Sequence, residues 1–201
     1  MEEQKLQQIL TKDDIITSIN ENIYDLLNII PEIKDMIGFE HNHPHHHLDV
    51  WNHTLLALST SPNDFKIRLV LLLHDIGKPH SYQDLEVRHF QGHADKSSEI
   101  ANNILTRLEI KQEEINEICY MIKYHDTMIS DELINNNKLL AQILFKIQTC
   151  DALAHNPTKL EKRKRYLMSL NKKINNELEQ EELEKLISNI SINNNKLKIK
   201  K

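Results

Sequence analysis

The run Leu69-Val70-Leu71-Leu72-Leu73-His74-Asp75-Ile76-Gly77-Lys78-Pro79 constrains the chain more than any other stretch: it leads an apolar helix to two adjacent metal-ligand side chains and then breaks it. Imidazole offers a nitrogen lone pair, and a carboxylate offers oxygens that hold one cation or bridge two. Gly77 and Pro79 end the helix directly after the pair. A His-Asp pair alone is more often a helix-end cap or a surface hydrogen bond than a ligand set. The other donors decide between these readings.

His53 lies in an apolar helical pattern, after Val50 and Trp51 and before Leu55 and Leu56. The common fate of such a histidine is a hydrogen-bonded place in the core. Asp151 lies within Leu144-Phe145-Lys146-Ile147-Gln148-Thr149-Cys150-Asp151-Ala152-Leu153, where a carboxylate is costly unless it is paired or bound to metal. A metal resolves both. His93, in Gln91-Gly92-His93-Ala94, and His125-Asp126, after an apolar segment ending at Tyr124, complete a donor set spread over five helical segments.

The order His53, His74-Asp75, Asp151 resembles the HD-domain superfamily of metal-dependent phosphohydrolases. The local wording, Asp49-Val50-Trp51-Asn52-His53-Thr54-Leu55, His74-Asp75-Ile76-Gly77-Lys78-Pro79, His89-Phe90-Gln91-Gly92-His93-Ala94 and Cys150-Asp151-Ala152-Leu153-Ala154-His155, is similar to the HD domain attached to bacterial tRNA nucleotidyltransferases and poly(A) polymerase-like proteins. The likeness covers roughly residues 39–166. It implies an all-α bundle with a metal site between its central helices, His53, His74, Asp75 and Asp151 as ligands, and metal-activated water acting on phosphomonoesters or phosphodiesters of nucleotides or RNA ends, 2′,3′-cyclic phosphates included. Some HD enzymes add two histidines between the His-Asp pair and the last aspartate, with the central aspartate bridging two ions; His93 and His125 stand in those places. In nucleotidyltransferase-like members such histidines contact substrate instead, so one ion and two ions both remain open. The Gly-Ser pair and spaced aspartates of a nucleotidyltransferase head do not occur in these residues. The expectation is a free-standing HD domain that hydrolyses rather than adds nucleotides. The alternative is a non-catalytic module that keeps the fold to bind a nucleotide or RNA, with a regulatory or partner-stabilising role.

Further roles follow as expectations. Lys78, within a turn of the ligand pair, and Arg68, two turns before Asp75, are candidates to neutralise phosphoryl charge. Asp126 is a candidate to orient an imidazole or act as general acid, and equally to cap a helix end. In the stretch His41-Asn42-His43-Pro44-His45-His46-His47, clustered imidazoles suggest either a separate metal site or a loop at the mouth of the site. The family likeness favours the loop, with His46 or His47 meeting substrate phosphate. The basic run from Lys159 to Arg165, followed by Tyr166, is either a solvated helix face or a surface that draws in an RNA end. Mixed His/Asp sites accept Mn, Fe, Ni, Co, Zn or Mg, so the ion's identity stays open, as does the oligomeric state.

Three glycines and five prolines in 201 residues leave little to interrupt helices, and Leu and Ile supply most of the apolar content. A chain of this size fits one domain: an HD core over 39–166, an N-terminal helical extension over 1–38, and a C-terminal helix with a polar tail over 167–201. The net charge of −5 argues against a general polyanion-coating protein. Cys119 and Cys150 define no disulfide framework and are expected as buried thiols. No signal peptide or run of membrane length is visible, so a cytoplasmic location is expected, with no membrane partner. Expected elements are one helix from Ile15 to Ile30, a loop from Gly38 to Leu48, and helices near Val50, over Phe65–Asp75, after His93, over Gln112–His125 and over Leu139–Ala154. A short hairpin is expected around Val87 to Phe90 and a polar loop from Ser130 to Asn137.

Overall fold

The computed structural model describes residues 2–83 and 86–174, apart from the side chains of 159–162. Among them are ten α-helices: α1 (Glu2–Leu10), α2 (Ile15–Glu21), α3 (Ile23–Ile29), α4 (Val50–Ser59), α5 (Phe65–Leu73), α6 (His93–Arg107), α7 (Gln112–Lys123), α8 (Asp131–Asn136), α9 (Lys138–Leu153) and α10 (Leu160–Ile174). The only extended pairing among them is two isolated antiparallel bridges, Glu40 with Asp49 and Gln83 with His89. The fold is all-α, as the scarcity of helix breakers implies. The expected C-terminal helix around Leu183 to Ile190 and the tail beyond it lie outside the described residues.

Helix α5 is the axis. Ile67 through Leu73 are all buried, nearly two full turns with no solvent face. A helix apolar all round needs neighbours all round, and α1, α4, α6, α7 and α9 pack against it. Both central helices start on an aspartate cap: Asp49 accepts from Asn52 N at 2.7 Å and Asp64 accepts from Ile67 N at 2.9 Å. Each such cap stabilises by about 0.5–2 kcal/mol. The caps set where α4 and α5 begin, and so which of their turns carries each histidine.

Four local expectations are corrected. The helix expected over Ile15 to Ile30 is two helices, broken at Asn22, whose side-chain amide donates to Ser18 O at 2.8 Å and so competes with the helical ladder. The loop expected over Ser130 to Asn137 contains α8, started by Ser130 accepting from Leu133 N at 3.1 Å; Asn137 then caps α9 through Leu140 N at 3.1 Å. Of the hairpin near Phe90, the described residues form one bridge, Gln83 with His89. Arg68 is not a substrate group. It lies at the far end of α5 from His74, buried, and its Nη1 donates to Leu10 O at 2.6 Å and Lys12 O at 2.7 Å. Those bonds pin α1 and the turn after it onto the core.

No helix among the described residues is long and apolar enough to cross a membrane.

Candidate metal centre

Five helices deliver side chains to one buried point. His74 caps the C-terminus of α5 and Asp75 follows it, while His53 comes from the middle of α4 and Asp151 from the last turn of α9. His93 opens α6 and His125 lies just past α7. The close approach of α6 requires a glycine at position 77. A Cβ there would clash with the backbone nitrogen of Ser97 and lie 2.7 Å from His93 O and 2.9 Å from the carbonyl carbon of Lys96. The Gly77 amide also donates to Ser97 Oγ at 2.9 Å, which fixes α6 against the His-Asp turn.

The imidazoles share one orientation. Nδ1 of His53, His74, His93 and His125 lies against the backbone oxygens of Ala154, Leu71, Phe90 and Ile122, at 3.2, 2.6, 2.9 and 2.7 Å. With Nδ1 donating, each Nε2 turns a lone pair inward, the arrangement in which metal-ligating histidines are held. Asp75 divides its carboxylate between two pairs. Oδ2 lies 3.5 Å from His53 Nε2 and 3.3 Å from His74 Nε2. Oδ1 lies 3.5 Å from His93 Nε2 and 3.8 Å from His125 Nε2. Asp151 Oδ1 joins the first pair, 2.9 Å from His53 Nε2 and 3.6 Å from His74 Nε2.

These residues fit divalent ions. Ligands about 2.0–2.2 Å from a common cation are themselves roughly 3.0–3.6 Å apart, which matches most of these separations. His74 Nε2 and both oxygens of Asp75 are buried without a hydrogen-bond partner, a costly state that a cation relieves. Lys78 Nζ comes within 2.7 Å of Asp75 Oδ2, yet off the hydrogen-bonding direction. His93 Nε2 and His125 Nε2 face each other at 3.4 Å, two lone pairs pointed at one place. Two triads of ligand atoms result, His53-His74-Asp75 and Asp75-His93-His125.

The electrostatics agree. Burial opposes charge on Asp75, yet His74 and Lys78 hold its carboxyl well below the usual range. Burial likewise opposes charge on Asp151, and His155 and His53 hold it low. Burial works against charging His74, but Asp75 and Asp151 raise it to about 10. The carboxylates thus demand a positive charge between them. His125, with no carboxylate as close, is pushed down to about 4 by burial and by His74.

A cavity of about 240 Å³ opens over the centre, and Lys78, Asp126, His46, Arg88, Arg163 and His155 are among its lining. Lys78 is buried and donates to His41 Nε2 at 3.1 Å. Arg88 is held in place by a 2.6 Å donation to Glu40 O and by stacking on Phe39 and Tyr82. Asp126 is half-exposed at the rim, with Oδ2 3.8 Å from His93 Nε2. His46 stacks on His41 with ring centroids 3.8 Å apart, and burial together with Lys78 keeps it neutral. His47 is exposed and does not line the cavity; the neighbouring His43 and His45 do.

The structure therefore brings His53, His74, Asp75, Asp151, His93, His125, Lys78, Asp126 and His46 together, and leaves out Arg68 and His47. Reasoning from sequence gave Arg88 no role, and it named Arg163 only within the basic run, His41 only within the histidine-rich loop and His155 only within the motif after Asp151. His155 had a usable signal: it lies one helical turn past Asp151, and its Nδ1 is 2.9 Å from Asp151 O.

The chain is similar to two tRNA nucleotidyltransferases. The chain is 33% identical over 104 residues to an A-adding tRNA nucleotidyltransferase of Deinococcus radiodurans, covering 48% of this chain and 24% of the relative. It is 31% identical over 129 residues to a CC-adding tRNA nucleotidyltransferase of Thermus thermophilus, covering 59% of this chain and 28% of that protein. The chain thus spans only about a quarter of the length of these curated relatives. The HD domain model matches residues 45–186, a span that takes in His53, both members of the His-Asp pair, His93, His125 and Asp151, and with it the chain belongs to the HD domain family.

Proposed function

We propose that this chain hydrolyses phosphoesters of nucleotides or RNA ends, 2′,3′-cyclic phosphates among them, at a centre of two divalent ions that share Asp75. The observation that carries this reading is the division of the Asp75 carboxylate, one oxygen toward His53 and His74 and the other toward His93 and His125. Bound there, divalent ions supply an acidified water and neutralise charge on phosphoryl oxygens. His53, His74, Asp151, His93 and His125 hold them, with Nε2 or carboxylate oxygens preset by the backbone.

Other residues bind and orient. Lys78, Arg88 and Arg163 form a cationic rim that matches a phosphate. Asp126, exposed beside His93, is placed to pass a proton to the departing oxygen. His46 and His155 close one wall of the cavity as uncharged donors or acceptors. A nucleotide or RNA end as the substrate is supported by the two relatives, whose names place them on tRNA.

The test is turnover of p-nitrophenyl esters, mononucleotides and 2′,3′-cyclic nucleotides by protein loaded in turn with Mn, Fe, Ni, Co, Zn or Mg. Turnover with at least one ion, lost in chelator and restored by that ion, is the expected result. Bound metal with no turnover of any ester would instead make the chain a binding module.

A further inference from the structure

Beyond the phosphate-sized cavity lies a larger groove of about 720 Å³ that the hydrolytic reading leaves without a role. The groove and the cavity are continuous: His45, His125, Asp126, Asp151 and Arg163 line both. A ligand with its phosphate at the metal centre therefore has its remaining body in the groove. The volume lies within the ~300–1,000 Å³ typical of small-molecule pockets, far beyond what a phosphate alone fills.

The walls state what that body is. Met128 is 75% exposed and Tyr166 40% exposed, an apolar and an aromatic face left open to solvent where large hydrophobic side chains are otherwise mostly covered. The Tyr166 ring stands beside Leu167, which is buried in the core, so it lies on the groove wall at a point held by the packed side of α10. Gln148 is held by two donations from Nε2, to Tyr124 O at 3.3 Å and Thr127 O at 2.6 Å, so its carbonyl oxygen is the atom free to accept. Arg163 and Arg165 bring positive charge along the same wall. A flat ring, a soft thioether, a fixed acceptor and two guanidinium groups in one groove suit a nucleobase with flanking phosphates. The basic run after α9 and the tyrosine that follows it thereby acquire a place.

Resting on the phosphoesterase reading, we propose that this groove is the subsite for the nucleoside portion of an RNA end, with a base stacked on Tyr166 and the chain's phosphates along Arg163 and Arg165. The groove, rather than the metal centre, then sets preference for a nucleotide over a small phosphate ester.

The experiment has two arms on the metal-loaded protein. In the first, kcat/KM for 3′-AMP is divided by that for glycerol 2-phosphate, an ester with no ring. Tyr166→Ala is expected to lower this ratio about tenfold, mostly through KM, while Tyr166→Phe keeps it. In the second, binding of a fluorescent triadenylate with a 3′-phosphate is measured directly. Tyr166→Ala is expected to weaken it about tenfold, and Arg165→Gln to weaken it and flatten its salt dependence. Triadenylate binding that depends on Tyr166, with no turnover, sinks the hydrolase reading and leaves the groove standing. Turnover with a ratio unmoved by Tyr166→Ala, or a wild-type protein that binds no triadenylate, overturns the groove.

Discussion

Two charged side chains are buried at opposite ends of α5, and they have opposite meanings. Arg68, 3% exposed, satisfies its guanidinium on Leu10 O, Lys12 O, Asn63 Oδ1 and Ser61 Oγ. Asp75, 0% exposed, has Lys78 within 2.7 Å of Oδ2 but no hydrogen-bond partner on either oxygen. A buried charge fully used by its own fold is structural, while one left open is a place where something else belongs. The N-terminal end of α5 is closed chemistry, and its C-terminal end is open.

Removing each charge separates the two ends. Asp75→Ala is expected to cut turnover by about a thousandfold or more, since metal assistance is worth several kcal/mol, and to empty the metal centre. Arg68→Ala leaves the carbonyls of Leu10 and Lys12 without a donor and is expected to lose about 2–4 kcal/mol in urea unfolding, with metal content per folded molecule intact. Metal loss in the arginine variant, or retained turnover in the aspartate variant, would erase the contrast.

Within the open end, the two triads are distinguishable. Gly77→Ala forces the start of α6, and His93 with it, away from Asp75. It is expected to weaken the ion at His93 and His125 by about 10–100-fold while sparing the one at His53 and His74, as isothermal titration with Mn would show. Equal weakening at both would mean the triads are not separate sites. The smallest effect is one of pH. With the folded pKa of His74 raised to about 10, its stabilising contribution is complete below its unfolded value of ~6.5 and is lost as pH rises toward 10. His125, depressed to about 4, contributes no change in that window. The metal-free protein should therefore drop by a few degrees in melting temperature from pH 6.5 to 10, and the metal-loaded protein, in which cations replace the proton, should not. Parallel curves would contradict this.

The same contrast explains what was legible in the sequence. His53, His74, Asp75 and Asp151 could be singled out as candidate ligands because each is a polar residue inside an apolar helical pattern, and that conflict is visible in one dimension. Arg68 shows the same conflict and misled, because what satisfies it is a carbonyl near Lys12, 56 residues away in sequence. Arg88 carried no pattern at all, and Arg163 stood only in a basic run that reads equally as a solvated face; the fold of the loop before α6 and the start of α10 brings them to the cavity. The break at Asn22 was equally hidden, since it rests on a side-chain amide competing locally rather than on glycine or proline.

Elemental analysis of protein reconstituted with Mn tests most directly whether one carboxylate, Asp75, serves two ions. Two ions per chain are expected in the wild type, one in the His93→Ala/His125→Ala double variant, and none in Asp75→Ala. An Asp75→Ala protein that keeps one or both ions would contradict the account.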